Sequence, residues 1–349
     1  MPDYKLLESL CMLNGISGDE YKVREFITKQ IIDYSDDIKV DNLGNLIVFK
    51  KGKKIAKNKL MISAHMDEVG FMVTDITSDG YIKFNEVGGV DRRILLGKQV
   101  TVGSTINGVI GVKPVHLING DESSDIPALS DMYIDIGACS RDEALKYVSY
   151  GDSINFVSNF YENGNKIISK ALDDRFGCFV LINMIKSELE YDMHFVFCVQ
   201  EEVGLRGATV AAYNVNPEFA LVIESTTAAD IPCVDDSKQV CILSDGAVIS
   251  VMDRATIYDK QMVNAAFKCA EQIGVKAQYK RAVAGGNDSG AIHKSRGGVR
   301  TLALSLPCRY IHSPFCVADK HDCESIIKLC SEIAETIAGG RLCGKVAVE

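Results

Sequence analysis

FVFCVQEEVGLRGA, residues 195–208, starts as an apolar run of strand composition, ends in a helical pattern, and sets Glu201 and Glu202 side by side at the junction. Strand passing to helix is the repeating unit of an α/β sheet, and ligands of such sheets gather where the strands end. Like charges this close repel, and neighbouring side chains on a strand point to opposite faces. A site that uses both must therefore bind positive charge nearby, which predicts a metal centre with two differently employed glutamates.

Working outward, four more segments put a ligand-type residue at the end of a hydrophobic stretch. KLMISAHMDEVGFMV carries His65 and Asp67 two positions apart, so on an extended backbone both face the same side. KALDDRFGCFVLINMI places Asp173 and Asp174 just before a long helical pattern, where free N–H groups favour anions. LVIESTTAADIP brings Glu224 to the end of an apolar run, and CRYIHSPF sets His312 in a turn before a proline. Each has a plain alternative: a hydrogen-bonded structural histidine, a solvated acid, or, for Asp173, a helix cap. Five coincidences argue against it. Nitrogen and carboxylate ligands without thiolates suit zinc, cobalt or manganese, and a set this rich in carboxylates has room for two ions bridged by one aspartate. The chemistry this predicts is metal-assisted hydrolysis.

Composition narrows the setting. The chain has 349 residues, 47% of them hydrophobic, enough for a large core and two domains. No apolar run approaches the roughly 20 residues that span a bilayer, and MPDYKLLESLCML lacks a basic region ahead of an apolar one. The expected location is cytoplasmic, with no membrane partner. Twelve cysteines are scattered without a Cys-x-x-Cys pair, which predicts buried reduced thiols, Cys308 and Cys316 beside His312 included. A net charge of −9 argues against a nucleic-acid partner. The one basic cluster, Lys50 to Lys59, reads as a solvated loop after a hairpin over 39–50.

Along the chain the patterns predict helices over 3–13 and 19–34, a strand over 59–65, and a β-rich stretch from about 70 to 160 divided by Gly and Asp turns. Helices over 173–188, 205–213, 259–273 and 321–338 then alternate with strands over 193–200, 219–224 and 246–251. AGGNDSGAIHKS reads as a cap leading into a helix over 288–296, lacking the signature of either a phosphate loop or a serine nucleophile. His116, His194 and His293 read as structural, and His321 as a cap or a solvent-facing residue of the last helix.

AHMDEVGFMV, ALDDRFG, VQEEVGLRGA, VMDRATI, GGNDSGAIHKSRGG and RYIHSP, in this order, resemble the M42 metallo-aminopeptidases, the family of the tetrahedral TET peptidases. The resemblance implies an α/β fold: a mixed-sheet metallopeptidase catalytic domain with helices on both faces (1–67 and 164–349), interrupted by a small β-barrel-like insertion (68–163) that serves dimerisation. It implies two divalent metal ions, zinc or cobalt with manganese also admitted. One is held by His65, Glu224 and a bridging Asp173, the second by Asp173, Glu202 and His312. Glu201 is then the general base, and Asp67 orients His65 through its far ring nitrogen. Many relatives carry aspartate where this chain has Glu224, which leaves Asp230 as the competing ligand; the motif position favours Glu224. Asp288 is a candidate contact for a substrate amine. The expected partners are a peptide substrate and further copies of the chain, as dimers and tetrahedral dodecamers. The leading function is removal of N-terminal residues from short peptides; the alternatives are a glycosidase or a deacylase using the same site, or a non-catalytic binding protein. A glycosidase needs no histidines among its two carboxylates.

Overall fold

The structure, a computed structural model, describes residues 3–103, 105–117 and 126–342. Two helices, α1 (Tyr4–Met12), capped by the Asp3 carboxylate on Lys5 N–H, and α2 (Tyr21–Ile31), precede the hairpin of β1 (Asp37–Val40) and β2 (Leu46–Lys50). Its turn is held by one oxygen of Asp41, which accepts from the N–H groups of Leu43, Gly44 and Asn45. This matches the expected hairpin, and the lysines after it (51, 53, 54, 57, 59) are exposed.

After β3 (Leu60–His65), the chain enters a closed barrel. Its strands are β4 (Gly70–Ile76), β5 (Ile82–Val87), β6 (Gln99–Val102), β7 (Ile106–Gly111), β8 (Tyr133–Asp135) and, past the one-turn α3 (Arg141–Ala144), β9 (Ser153–Phe156). They close in the order β4-β5-β8-β7-β6-β9. Phe71 fills the centre edge-on to Phe84 and Phe156. The rest of the chain contributes β10 (Tyr161–Asn163), β11 (Lys166–Ser169), α4 (Leu172–Lys186), β12 (Met193–Cys198), α5 (Arg206–Val215), β13 (Phe219–Thr227), β14 (Ala247–Ile249), α6 (Lys260–Ile273), β15 (Ala277–Tyr279), α7 (Ser289–Ile292), β16 (Arg300–Cys308), β17 (Cys316–Asp319) and α8 (Lys320–Ala338).

Eight strands form one mixed sheet in the order β1-β2-β12-β3-β13-β16-β14-β15, with helices on both faces. The middle four, β12, β3, β13 and β16, run parallel. Parallel strands covered on both sides have to be apolar almost throughout, and all six residues of β3 are buried. Their C-terminal ends consequently share one edge: Cys198 pairs with His65, and Glu224 with Ser305.

Two sequence expectations differ from this. The helix over 288–296 is the single turn α7, because the chain then folds through positive φ at Arg296 and Gly298. The nine-residue β16, central to the sheet, was not predicted; Pro307 near its end is a residue rarely tolerated inside a sheet. Cysteines bear out the thiol reading. Apart from exposed Cys139 and Cys233, those described are buried and free. No helix among the described residues is long and apolar enough to cross a membrane.

Candidate metal centre

Each group in the centre arrives from the shared strand edge or from the start of α4. His65 ends β3, Glu201 and Glu202 follow β12, Glu224 lies in β13, and His312 sits in the turn after β16. Asp173 arrives at the head of α4, where Asp173 and Asp174 depart from helical geometry and are joined by a cis peptide bond.

The doublet at α4 is split by function. Asp174 is the cap: one carboxylate oxygen accepts from Gly177 N–H three residues on, the other from the His65 N–H. Gly177 is glycine because a Cβ there would stand 2.3 Å from that carboxylate. Asp173, the residue whose alternative reading was a cap, makes no capping bond. Its carboxylate lies between the two histidines, Oδ1 at 3.4 Å from His65 Nε2 and Oδ2 at 3.2 Å from His312 Nε2. Each histidine has its own glutamate: Glu224 Oε2 is 3.7 Å from His65 Nε2, and Glu202 Oε1 is 3.4 Å from His312 Nε2. Two donors sharing a tetrahedral ion at ordinary zinc bond lengths lie about 3.4 Å apart. The four spacings lie around that value, and three of them exceed the usual hydrogen-bond range.

The other ring nitrogens are satisfied by backbone. His65 Nδ1 faces the Asp67 carbonyl oxygen at 3.0 Å, and His312 Nδ1 faces the Gly89 carbonyl oxygen at 3.0 Å. A carbonyl only accepts, so both imidazoles carry a proton on Nδ1, and Nε2 is the ring atom that faces the carboxylates and could serve as a ligand. Asp67 therefore meets His65 through its backbone as well as its carboxylate. Its backbone orients His65, while its carboxylate, 3.5 Å from the same nitrogen, accepts from the N–H groups of Glu201 and Glu202 and from the Ser17 hydroxyl.

The electrostatics suit a bound cation. Burial, with neighbouring acids adding to it, pushes Glu201 and Glu224 well above the usual carboxylate range and Glu202 up to about 7. Burial works against the charged form of His312, yet the Asp173 and Glu202 carboxylates raise it to about 9. Asp173 is pulled down by the two histidines against its own burial. Asp173 Oδ1 and Glu224 Oε1 are buried without a hydrogen-bond partner, an arrangement that is costly unless a cation takes them. The donor set fits divalent ions.

Asp230 is not part of the group. Both its oxygens are held by Arg309, at 2.7 and 2.8 Å, and one also accepts from Leu243 N–H. The four remaining histidines also lie apart from it: His194 packs on the Phe49 ring, His293 bonds back to Ser289 O, His321 meets Asn165, and His116 is in an exposed turn. Cys308 and Cys316 are buried, Cys316 Sγ donating to Ser313 O.

Comparison with known proteins decides the family. The model of the M42 glutamyl aminopeptidase family matches residues 44–329. The chain belongs to the M42 family. A putative aminopeptidase of Acetivibrio thermocellus is 41% identical over 331 residues, covering 94% of this chain and 97% of the relative. The aminopeptidase APDkam598 of Desulfurococcus kamchatkensis superposes with a TM-score of 0.93 at 32% identity, over 99% of this chain and 98% of that one. The Pyrococcus horikoshii TET1 peptidase, described as assembling into a tetrahedron or a large octahedral shell, gives a TM-score of 0.84 at 36% identity over 95% and 98%. The protein is thus a metal-dependent aminopeptidase, a hydrolase of peptide bonds.

In this M42 peptidase the acidic group opens into a cavity of about 280 Å³ lined by Glu201, Thr226, Lys280, Asn287 and Ser305 among others. Asp288 is buried behind that wall and does not line the cavity, whereas its neighbour Asn287 does. Sequence reading missed Glu68, Lys170 and Arg175, a buried ionic group beneath the centre. Lys170 donates to Glu68 Oε1 at 2.6 Å, and Arg175 approaches the same oxygen at 3.5 Å. The only signal was Glu68 itself, next to Asp67 in HMDEVG.

Proposed function

We propose that this aminopeptidase works with two divalent ions, one held by His65, Asp173 and Glu224 and the other by His312, Asp173 and Glu202. The observation that carries the reading is Asp173 placed between two histidine Nε2 atoms, each with a glutamate of its own at 3.4–3.7 Å. Bound there, such ions supply Lewis acidity for the scissile carbonyl and acidify the attacking water.

The chain's own groups do the rest. Glu201 lines the cavity but is engaged by no ring nitrogen and, through its N–H only, by Asp67. It takes the proton from the attacking water and returns it to the leaving amine. Asp67 fixes the backbone of both glutamates, so base and ligand keep their relative positions. A cavity of about 280 Å³ is of a size for the end of a short peptide. A glycosidase would use two carboxylates facing a sugar; here the carboxylates face histidines, and nothing favours that alternative.

Self-association fits the same reading. Residues 68–163 form the insertion, and exposed apolar side chains on it, Leu96, Val109, Tyr147 and Tyr150, suit contact with another copy. Dimers, and dodecamers built from them, are the assemblies this implies, in a reducing cytoplasm that suits the free thiols.

The test is hydrolysis of aminoacyl-p-nitroanilides by metal-stripped protein given zinc, cobalt or manganese, with ions counted in parallel. Metal-dependent release at about two ions per chain supports the reading. Release that is indifferent to chelator, or a chain that takes up no ion, overturns it.

A further inference from the structure

Gly88 and Gly89 follow the barrel strand β5 and reach the metal centre. The Gly89 carbonyl oxygen is the partner of His312 Nδ1. Gly88 has φ +83°, and a Cβ added to it would lie 2.8 Å from Val69 Cγ1 and 3.1 Å from the Cβ of Glu202. Two consecutive residues just after a barrel strand thus adjoin Glu202 and His312, the two side chains that share one ion with Asp173 in the reading above. His65, on the other side of Asp173, is oriented from within its own segment by the Asp67 carbonyl.

His312 has more need of an outside anchor than His65. It sits at φ +58° in a turn and is about a third exposed, whereas His65 ends a fully buried strand. A ligand histidine whose far N–H is not fixed loses both tautomer and aim, and removing such an anchor typically weakens metal affinity about 10- to 100-fold.

We propose that Gly88–Gly89 is a positioning element for the ion of His312, Asp173 and Glu202: the Gly89 carbonyl fixes the imidazole, and the bare Cα of Gly88 leaves room for Glu202. The barrel is then part of one half of the metal centre, and a disturbance of this loop reaches one ion and spares the other. The inference rests on the two-ion reading above.

Neighbouring glycines give opposite expectations. At Gly88 an alanine faces a positive φ and the 3.1 Å contact; at Gly89 a Cβ meets nothing within 4 Å and the carbonyl stays in place. The experiment is a zinc titration of metal-stripped full-length wild type, Gly88→Ala and Gly89→Ala, with ions counted after dialysis against buffered free zinc. Gly88→Ala is expected to keep one ion at wild-type affinity and to bind the second about 10- to 100-fold more weakly. Gly89→Ala is expected to bind both as wild type does. Should Gly88→Ala fail to fold, Val69→Ala/Gly88→Ala relieves the 2.8 Å contact and retains the pressure on Glu202. Two ions bound equally tightly by wild type and Gly88→Ala, or both ions weakened together, would overturn the proposal while leaving the two-ion reading intact. A wild type that holds fewer than two ions would overturn that reading and this one with it.

Discussion

Glu68→Ala tests whether the buried charges beneath the centre hold the protein together. Lys170 and Arg175 are 2% and 0% exposed at the side chain, and Glu68, itself 5% exposed, is the carboxylate that contacts both. Removing it strands two cations in a region they cannot leave, and breaking a buried pair in this way costs about 3–5 kcal/mol. Two features bear on the size. Arg175 keeps its carbonyl acceptors on Leu10, Leu13, Gly15 and Met66, and Lys170 keeps Leu13 O and Asn14 Oδ1, which hold the loss toward the lower end. Gly15 N–H also loses its bond to Glu68, which adds to it. At about 2.1 cal/mol/K per residue, 349 residues give an unfolding entropy of about 0.7 kcal/mol/K, so the melting temperature should fall by about 4–7 °C. The assay is thermal unfolding of the metal-free protein by circular dichroism, with Glu25→Ala as control. Glu25 and Lys29 form an ion pair at 59% and 70% exposure, screened by water, for which a shift of less than about 1 °C is expected. A Glu68→Ala protein melting within 1 °C of that control would refute the reasoning.

Glu201→Gln keeps shape and loses the proton acceptor; kcat should drop about 10²- to 10⁴-fold while metal content is unchanged, and near-normal turnover with full metal would remove Glu201 as base. Glu224→Ala should lose one ion per chain by elemental analysis, whereas Asp230→Ala should lose none, because Asp230 is committed to Arg309; the reverse pattern would reassign the ligand. Lys280 lines the cavity with its ammonium bonded to Ala284 O, and burial lowers its pKa. A half-buried ammonium in a substrate pocket that, among the described residues, forms no ion pair with a carboxylate favours an acidic side chain at the cleaved end. Lys280→Met should lower kcat/KM for glutamyl-p-nitroanilide relative to leucyl-p-nitroanilide; an unchanged ratio would exclude that contact.

The sequence disclosed what is local. An apolar run ending in an acid or histidine can be read without coordinates, because a parallel strand buried on both faces is apolar up to the point where it emerges. His65, Glu202 and Glu224 were legible for that reason, and the hairpin because one Asp41 carboxylate closes its turn. What was not legible is made by contacts distant along the chain. β16 was hidden by Pro307, which sits near the end of its pairing with β13. The Gly89 carbonyl leaves no mark on composition, since any residue supplies a carbonyl. Asp67 showed its position and concealed its use, because backbone N–H groups 134 and 135 residues away claim its oxygens.

Three acidic doublets stand out in this chain: Asp67–Glu68, Asp173–Asp174 and Glu201–Glu202. None of them acts as a pair. Consecutive side chains diverge, and two carboxylates placed at one point would hold only one charge between them. Each doublet therefore divides its work. Asp174 caps α4 and Asp173 faces the histidines. Glu68 joins the buried cations as Asp67 ties down the following glutamates. Glu202 meets His312, which leaves Glu201 uncommitted. In the first two doublets a carboxylate that serves the fold sits one peptide from one that serves the centre, so the ligand positions inherit the rigidity of a helix cap and a buried ion pair. The third has no such anchor of its own, and Asp67 supplies it from the connection between β3 and β4. Glu201, the uncommitted member, is accordingly the one oxygen-bearing group in the centre whose backbone is fixed and whose carboxylate is not, which is the condition a proton shuttle requires.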